Sequence, residues 1–393
     1  MSELRYDPIK RTWVILAAQR GHRPSHYHSL SQSLPEPKSC PFCPGNEAMT
    51  PPEVYSHRSP DTAPDSPGWK VRVVPNKFPA LTTRMDPGDQ FSTFSPEEIH
   101  LRIPGFGAHE IVIETPVKDR QMVDMKDDEI AEVLIVFRER MRTYFKDGRF
   151  KTVILFKNHG KEAGASLVHS HTQLMALPVI PNNVASKLES FEKHRVEKER
   201  CLMCDILEKE VREDDRVVVN DSGYMVLAPF AASSPFQLNI VPRDHSHDFS
   251  LSDDDSLGYL AQVLGGTLRR LRSVLGEHPW NMVLHNAPVD PEGHMNVEAY
   301  HWFLEITPRL TNPAGFEMGS GFYINTVAPE ECAALLREKG STQYPGASRK
   351  PRSRADLPRR TRRDAEENLN SGGNSSSRIS VKSCLTLVRH TLV

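Results

Sequence analysis

The chain has 393 residues, room for two or three average domains or one large one, with 38% hydrophobic and 25% charged residues. Forty-nine Lys and Arg against 51 Asp and Glu give a formal charge of −2, which removes the whole-chain argument for a nucleic-acid partner. No apolar run approaches the ~20 residues that cross a bilayer. The short run Trp13–Ala18, with Asp7 just before it, is too small for a signal-peptide core, so a cytoplasmic protein without a membrane partner is expected.

In chain order, residues 1–340 are predicted to form two imperfect copies of one α+β plan, a half over 1–185 and a half over 186–340. The first opens on Cys40-Pro-Phe-Cys43 and continues with β-segments at Val71–Val74 and His109–Glu114. A helix from Asp127 to Tyr144 follows, with Ile130, Val133, Leu134, Phe137, Met141 and Tyr144 on one face and acids in its first turn. Strands return at Thr152–Phe156 and Leu167–Leu177. The second copy repeats the order: Cys201-Leu-Met-Cys204, strands at Tyr224–Leu227 and Gln237–Val241, a leucine-rich helix from about Ser252, then strands at Asn281–His285 and His301–Ile306. His109 precedes His169 by 60 positions and His245 precedes His301 by 56, while no βαβ alternation with a glycine fingerprint is present. The expected architecture is a duplicated unit of mainly antiparallel sheets with flanking helices. Residues 341–393 lose apolar periodicity, and eight of the fifteen residues Arg349–Arg363 are basic, so this segment is expected to be a disordered, solvated tail.

Six cysteines are too few for a disulfide framework, and four of them fall in the two Cys-x-x-Cys pairs. Each pair is half of a tetrahedral zinc site, because Zn²⁺ takes four N/S ligands. The competing reading is a redox pair at a helix N-terminus. Pro44-Gly45-Asn46 after the first pair argues against it; the helix-like Asp205–Glu210 after the second leaves it open.

The sharpest signal is Gly164-Ala-Ser-Leu-Val-His169-Ser-His171-Thr-Gln173. On a strand, His169, His171 and Gln173 would share one face at about 7 Å steps, after a turn of small residues that lets a phosphate approach backbone N–H groups. A neutral histidine there can attack phosphorus and form a labile phosphoramidate. Gln173 donates to a phosphate oxygen but is no general base for water, which favours transfer over hydrolysis.

These residues carry a resemblance to a known family. The Cys40/Cys43 knuckle, Gly105-Phe-Gly-Ala-His109-Glu, Asn158, Gly164-Ala-Ser166 and His169-x-His171-x-Gln173 resemble the galactose-1-phosphate uridylyltransferase family of the histidine-triad superfamily. That likeness implies one zinc on Cys40, Cys43, His109 and His169, His171 as nucleophile and Gln173 on the transferred phosphate. It implies that Arg20, Arg23, Asn76, Asn158 and the run Gly164, Ala165, Ser166, Leu167 hold the nucleotide sugar, and that Phe316, Glu317 and Gly321 reach the sugar. It also implies a homodimer. The family's uridylyltransferases usually carry His-Pro-His, where this chain has Ser170, and a second site of one Glu and three His, where this chain offers Cys201, Cys204, His245 and His301. Both departures resemble the ADP-glucose phosphorylase branch, and two zinc ions per chain are expected; Glu298 and His294 keep another second site open. The activity implied is double displacement on a nucleoside diphosphate sugar, with phosphate or a sugar 1-phosphate as acceptor. Adenylyl transfer is expected first and uridylyl transfer second. A histidine-triad hydrolase, a zinc-knuckle binding module and an inactive family member are the rivals.

Overall fold

Segments such as Trp69-Lys-Val-Arg-Val-Val-Pro75, dense in β-branched residues, pleat so that alternate side chains face opposite sides. In a computed structural model of the protein, in which residues 2–18, 39–84, 103–290 and 293–340 are described, such segments build two sheets. Three short strands, β1 (Glu3–Asp7), β2 (Thr12–Leu16) and β13 (Tyr323–Asn325), form one. The other has ten strands. The first half supplies β3 (Tyr55–Arg58), β4 (Trp69–Pro75), β5 (Ala108–Ile113), β6 (Thr152–His159) and β7 (His171–Leu177). The second supplies β8 (Val217–Asn220), β9 (Tyr224–Leu227), β10 (Leu238–Pro242), β11 (Trp280–His285) and β12 (Phe303–Pro308).

The order β3-β4-β5-β7-β6-β11-β12-β10-β9-β8 is a palindrome of the two copies, joined where β6 pairs antiparallel with β11. The halves therefore share one sheet. The boundary expected at 185/186 falls inside a helix, α2 (Asn182–Lys198), which belongs with the second half.

Two long helices cover one face of this sheet. In α1 (Asp127–Phe145) the first turn carries Asp127, Asp128 and Glu129, and the Glu129 carboxylate accepts from the Lys126 N–H at 2.8 Å. In α4 (Asp254–Leu275) the Asp253 side chain caps the Ser256 N–H at 2.7 Å. Acids at a helix start complement its dipole and its unpaired N–H groups. The apolar stripes of both helices close over Val73, Val112, Leu155, Leu174, Met282, Leu304 and Ile240 to form the main core. The opposite face carries two smaller apolar clusters, one with Trp69, Val74, Ile111 and Ile113 and one with Met225, Leu227, Val241 and Phe303. The remaining helices are α3 (Leu202–Glu213), α5 (Gly315–Ser320) and α6 (Pro329–Gly340), and no described helix is long and apolar enough to cross a membrane.

One predicted strand starts late. The segment expected to be extended from Leu167 enters the ladder only at His171, because Gly164 adopts φ +89° and the following residues cross a loop. His169 therefore precedes the strand, and it does not align with His171 and Gln173. Arg20, Arg23, Cys384 and the basic tail 341–393 lie outside the described residues.

Candidate active site and metal centres

The first metal centre grows from the knuckle. Gly45 at φ +88° turns the chain back, and the Asn46 side-chain amide donates to the Cys40 carbonyl at 2.8 Å, which draws the two thiols together. His169 reaches them from the loop before β7: its Nδ1 lies 3.3 Å from Cys40 Sγ and 3.7 Å from Cys43 Sγ. Its Nε2–H donates to the Thr115 carbonyl at 2.7 Å, so the Nδ1 lone pair faces the sulfurs.

The second centre repeats the device with four side chains. Cys201, at the N-terminus of α3, and Cys204, in its first turn, meet His301 and His245, and the ligand atoms all lie within 4.8 Å of one another. His301 Nδ1 stands 3.6 Å from both sulfurs and His245 Nδ1 3.9 Å from Cys204 Sγ. Their outer nitrogens donate to the carbonyls of Pro242 and Glu298 at 3.0 and 2.8 Å. Zinc bonds of ~2.3 Å to sulfur and ~2.0–2.1 Å to nitrogen set at tetrahedral angles imply S···N separations of about 3.6 Å. Both donor sets fit that spacing. Glu298 contributes a carbonyl rather than its carboxylate, and neither His294 nor His247 joins the group. The helix that starts at Cys201 follows another helix, so the strand-to-helix setting of a redox pair is missing there.

His109 is not in the first centre. The register of β5 on β7 sets it opposite Met175, six residues beyond His169, about 20 Å along the strand at ~3.4 Å per residue. One ion cannot span that distance. Instead the His109 ring accepts from the Ala80 N–H at Nδ1 (3.3 Å), its Nε2–H donates to Gln173 Oε1 (2.9 Å), and Asn76 Nδ2 lies 3.1 Å from the same Nε2. With its oxygen so engaged, the Gln173 amide presents its NH₂ donor. His109 is thus a positioning residue for Gln173, and Asn76 stands beside it.

His171 is buried, and its Nδ1–H donates to the carbonyl of His169 at 2.8 Å. A carbonyl only accepts, so Nδ1 holds the proton and Nε2 keeps its lone pair. Burial first, and then the charge of Lys157, lower the pKa of His171 and favour the neutral ring that a nucleophile requires. Phe42, between the two knuckle cysteines, packs edge-on against both rings, 6.1 Å from His169 and 5.4 Å from His171. Across the sheet, Ile113 faces His171, and Ile111 and Phe156 flank Gln173.

Sequence reasoning missed the clamp beneath this segment. Lys157 Nζ donates to Glu114 at 2.8 Å, to Ser170 Oγ at 3.0 Å and to the His171 carbonyl at 3.1 Å, while the Ser170 and Thr172 hydroxyls donate to the same Glu114 carboxylate. Burial alone would push the Glu114 carboxyl up, but the Lys157 charge and these hydrogen bonds outweigh it and hold the pKa below the ordinary value. The signal was present: each charge ends an otherwise apolar strand run, Ile111-Val-Ile-Glu114 and Val153-Ile-Leu-Phe-Lys157.

The other expected substrate contacts divide into two groups. Gly164 takes the left-handed turn, Ala165 is buried, Ser166 is exposed and Leu167 packs on the knuckle. Asn158, whose Oδ1 accepts from Asn281 Nδ2 at 2.8 Å, lines a cavity of about 810 Å³ together with Glu317 and Gly321. Phe316 is half exposed on the same short helix, α5. His285 faces the cavity, and His159 stacks on Trp280.

The copies differ at the decisive positions. The register that pairs β11 and β10 with β12 puts Phe303 where the first half has His171, and Glu305 where it has Gln173. Glu305 is held by Lys10 at 2.6 Å. Only the first half carries an imidazole and an amide at these two positions.

Models of the N-terminal and C-terminal domains of galactose-1-phosphate uridyl transferase match residues 1–181 and 187–314. The chain belongs to the galactose-1-phosphate uridylyltransferase family. Among its relatives, an ADP-glucose phosphorylase of Arabidopsis thaliana is 37% identical over 343 residues, 86% of this chain and 93% of the relative. A galactose-1-phosphate uridylyltransferase of Thermotoga maritima is 28% identical, covering 86% of this chain and 98% of the relative. A crystal structure of an ADP-glucose phosphorylase from Arabidopsis thaliana with bound ADP-glucose superposes with a TM-score of 0.72 at 35% identity, over 86% of this chain and 99% of that one. The α+β fold of this family, with its large antiparallel sheet, is the architecture described above.

Two outcomes are expected. His109→Asn keeps the full metal content, measured by elemental analysis, while lowering turnover; loss of an ion would return His109 to the ligand set. Lys157→Met strands a buried carboxylate and lowers unfolding stability in denaturant by about 3–5 kcal/mol, with the double variant Lys157→Met/Glu114→Gln recovering part of it. Because the folded-state pKa of Glu114 is depressed, its share of the stability is present above the ordinary carboxylate range. That share disappears as pH falls through the folded pKa.

Proposed function

We propose that this family member moves adenylyl groups between ADP-glucose and phosphate through a covalent adenylyl–His171 intermediate. One observation carries the reading: the Nδ1–H bond to His169 fixes the tautomer of His171 and leaves Nε2 as a lone-pair nucleophile beside the free amide donor of Gln173. In the first half-reaction Nε2 attacks the α-phosphorus; the P–N bond forms as the P–O bond to glucose 1-phosphate breaks, and the sugar phosphate leaves with the electron pair. In the second, a phosphate oxygen attacks the same phosphorus, the P–N bond breaks and His171 regains its neutral lone pair.

Gln173, the loop Gly164–Leu167, Asn76 and Asn158 would hold the phosphates and nucleoside, with Arg20 and Arg23 adding positive charge and Phe316, Glu317 and Gly321 at the sugar. Preorganised donors aimed at developing phosphate charge are commonly the largest catalytic contribution. The absence of an imidazole at position 173 leaves no base to activate water, which separates transfer from hydrolysis. The adenylyl preference is supported by the 37% identical relative and by the bound ADP-glucose of the superposed structure. Uridylyl transfer is the second reading, supported by the 28% identical relative.

Zinc is the ion we assign to both Cys/His centres, where it supplies rigidity rather than a reactive water. Cys40, Cys43 and His169 would hold one ion and Cys201, Cys204, His245 and His301 the other. A homodimer is supported by α5, which buries none of its residues and leaves Phe316 49% and Met318 81% exposed. Thiol ligands suit a reducing cytoplasm.

Incubated separately with ADP-glucose and UDP-glucose, the intact protein should gain the mass of one AMP from the first and little or no UMP from the second. Dominant UMP labelling would reverse the base assignment, and no label from either would remove the covalent mechanism. His171→Asn should lose at least ~10³-fold in transfer rate with unchanged metal content.

A further inference from the structure

We propose that Asp119 supplies the fourth ligand of the first metal centre, an assignment that rests on the zinc reading of that site. A closed structural zinc site takes four protein donors. Among the described residues, the first centre gathers three, Cys40, Cys43 and His169, whereas the second gathers four. His109 is excluded by register.

The chain contains its own template for the missing corner. In the second half, the fourth donor, His245, lies just beyond β10, the strand corresponding to β5. Three landmarks carry its position to the first half and bracket it at residues 117 to 119. Continued past their last pairs, Ile240 with Leu304 and Ile113 with His171, the two ladders set Arg243 against His301 and Thr115 against His169, which extrapolates His245 to position 117. The carbonyl that accepts from the histidine Nε2–H is that of Pro242 or of Thr115, which extrapolates it to 118. A proline also lies near each strand end, Pro242 as the last residue of β10 and Pro116 three residues beyond β5, and the third residue after it is His245 or Asp119. Of Val117, Lys118 and Asp119, valine has no donor atom and an ammonium has no lone pair. Only the Asp119 carboxylate can ligate.

The local geometry holds this turn over the metal centre. Thr115 at one end receives the His169 Nε2–H, the Glu114 N–H donates to the Ser170 carbonyl at 3.2 Å, and Gln121 at the other end donates from Nε2 to the Val168 carbonyl at 2.8 Å. The turn is therefore tied at both ends to the segment that carries His169. Asp119 is exposed on the turn, and its carboxylate is not drawn in among the other three donors. An exposed carboxylate in the fourth place also implies an order of release: the first centre gives up its ion before the Cys₂His₂ centre does.

The test is zinc binding by the full-length protein, followed as metal content per chain, as competition with a chromophoric chelator and as the visible spectrum after cobalt substitution. The wild type should hold two ions that leave in two phases. Asp119→Ala and Asp119→Asn should weaken the faster-leaving ion at least tenfold and alter its cobalt spectrum, without moving the slower one. Asp119→His, which restores the donor type of the second centre, should hold both ions tightly, and His245→Ala should weaken only the slower ion. Two ions retained with wild-type affinity and spectrum in both the alanine and asparagine variants would overturn the ligand assignment. A wild type that takes up one ion, lost on His245→Ala, would instead overturn the zinc reading of the first centre. Far-UV circular dichroism of each variant separates ligand loss from misfolding, and if the alanine and asparagine variants both unfold, ion retention in a folded Asp119→His protein decides.

Discussion

The hydrogen bond from His171 Nδ1 to the His169 carbonyl is the constraint on which the site depends. It joins two neighbouring residues whose side chains have opposite duties. The ring of His169 turns toward Cys40 and Cys43, while its backbone oxygen dictates which nitrogen of His171 carries the proton. Anything that holds the His169 ring therefore also aims the His171 lone pair. From below, Lys157 grips the His171 carbonyl and shares Glu114 with Ser170 and Thr172, so the short segment is held from both faces of the sheet. An imidazole held in this way needs no tautomer exchange and little rotamer search to present its Nε2 lone pair.

The palindromic sheet shows how duplication serves such a site. Both halves keep a Cys-x-x-Cys pair met by a histidine from the segment just before β7 or β12. They diverge one residue pair later. Phe303 stands in the second half where the first has His171, and Glu305, paired with Lys10, stands where the first has Gln173. A carboxylate repels a phosphate group, whereas an amide N–H can donate to one. The two metal centres have diverged as well, one with four protein donors gathered and one with three.

Much of this was legible from local pattern. The 3.6-residue stripes of α1 and α4, the paired cysteines, the repeat order and the His171/Gln173 pair on one strand face all depend on spacing within a few residues. The errors came where two segments had to be set against each other. His109 and His169 stand at nearly the spacing of His245 and His301, yet an antiparallel ladder converts similar sequence intervals into different positions, and its register carried His109 six residues too far. The Lys157–Glu114 clamp was missed because its charges are 43 residues apart and meet only once β6 and β5 flank β7.

By itself, the sequence determined which chemistry the chain could hold: thiols at metal spacing, an imidazole and an amide two residues apart, and helices with one apolar face. Tertiary structure decided the assignments. It alone made His109 the partner of Gln173, chose the protonated nitrogen of His171 through a backbone carbonyl, and set Phe303 and Glu305 of one half in the places of His171 and Gln173 of the other. The physical reason is range. Residue type and periodicity act within a turn or a strand, whereas a metal site, a tautomer and a buried ion pair are set by atoms within about 4 Å that are brought together from distant parts of the chain.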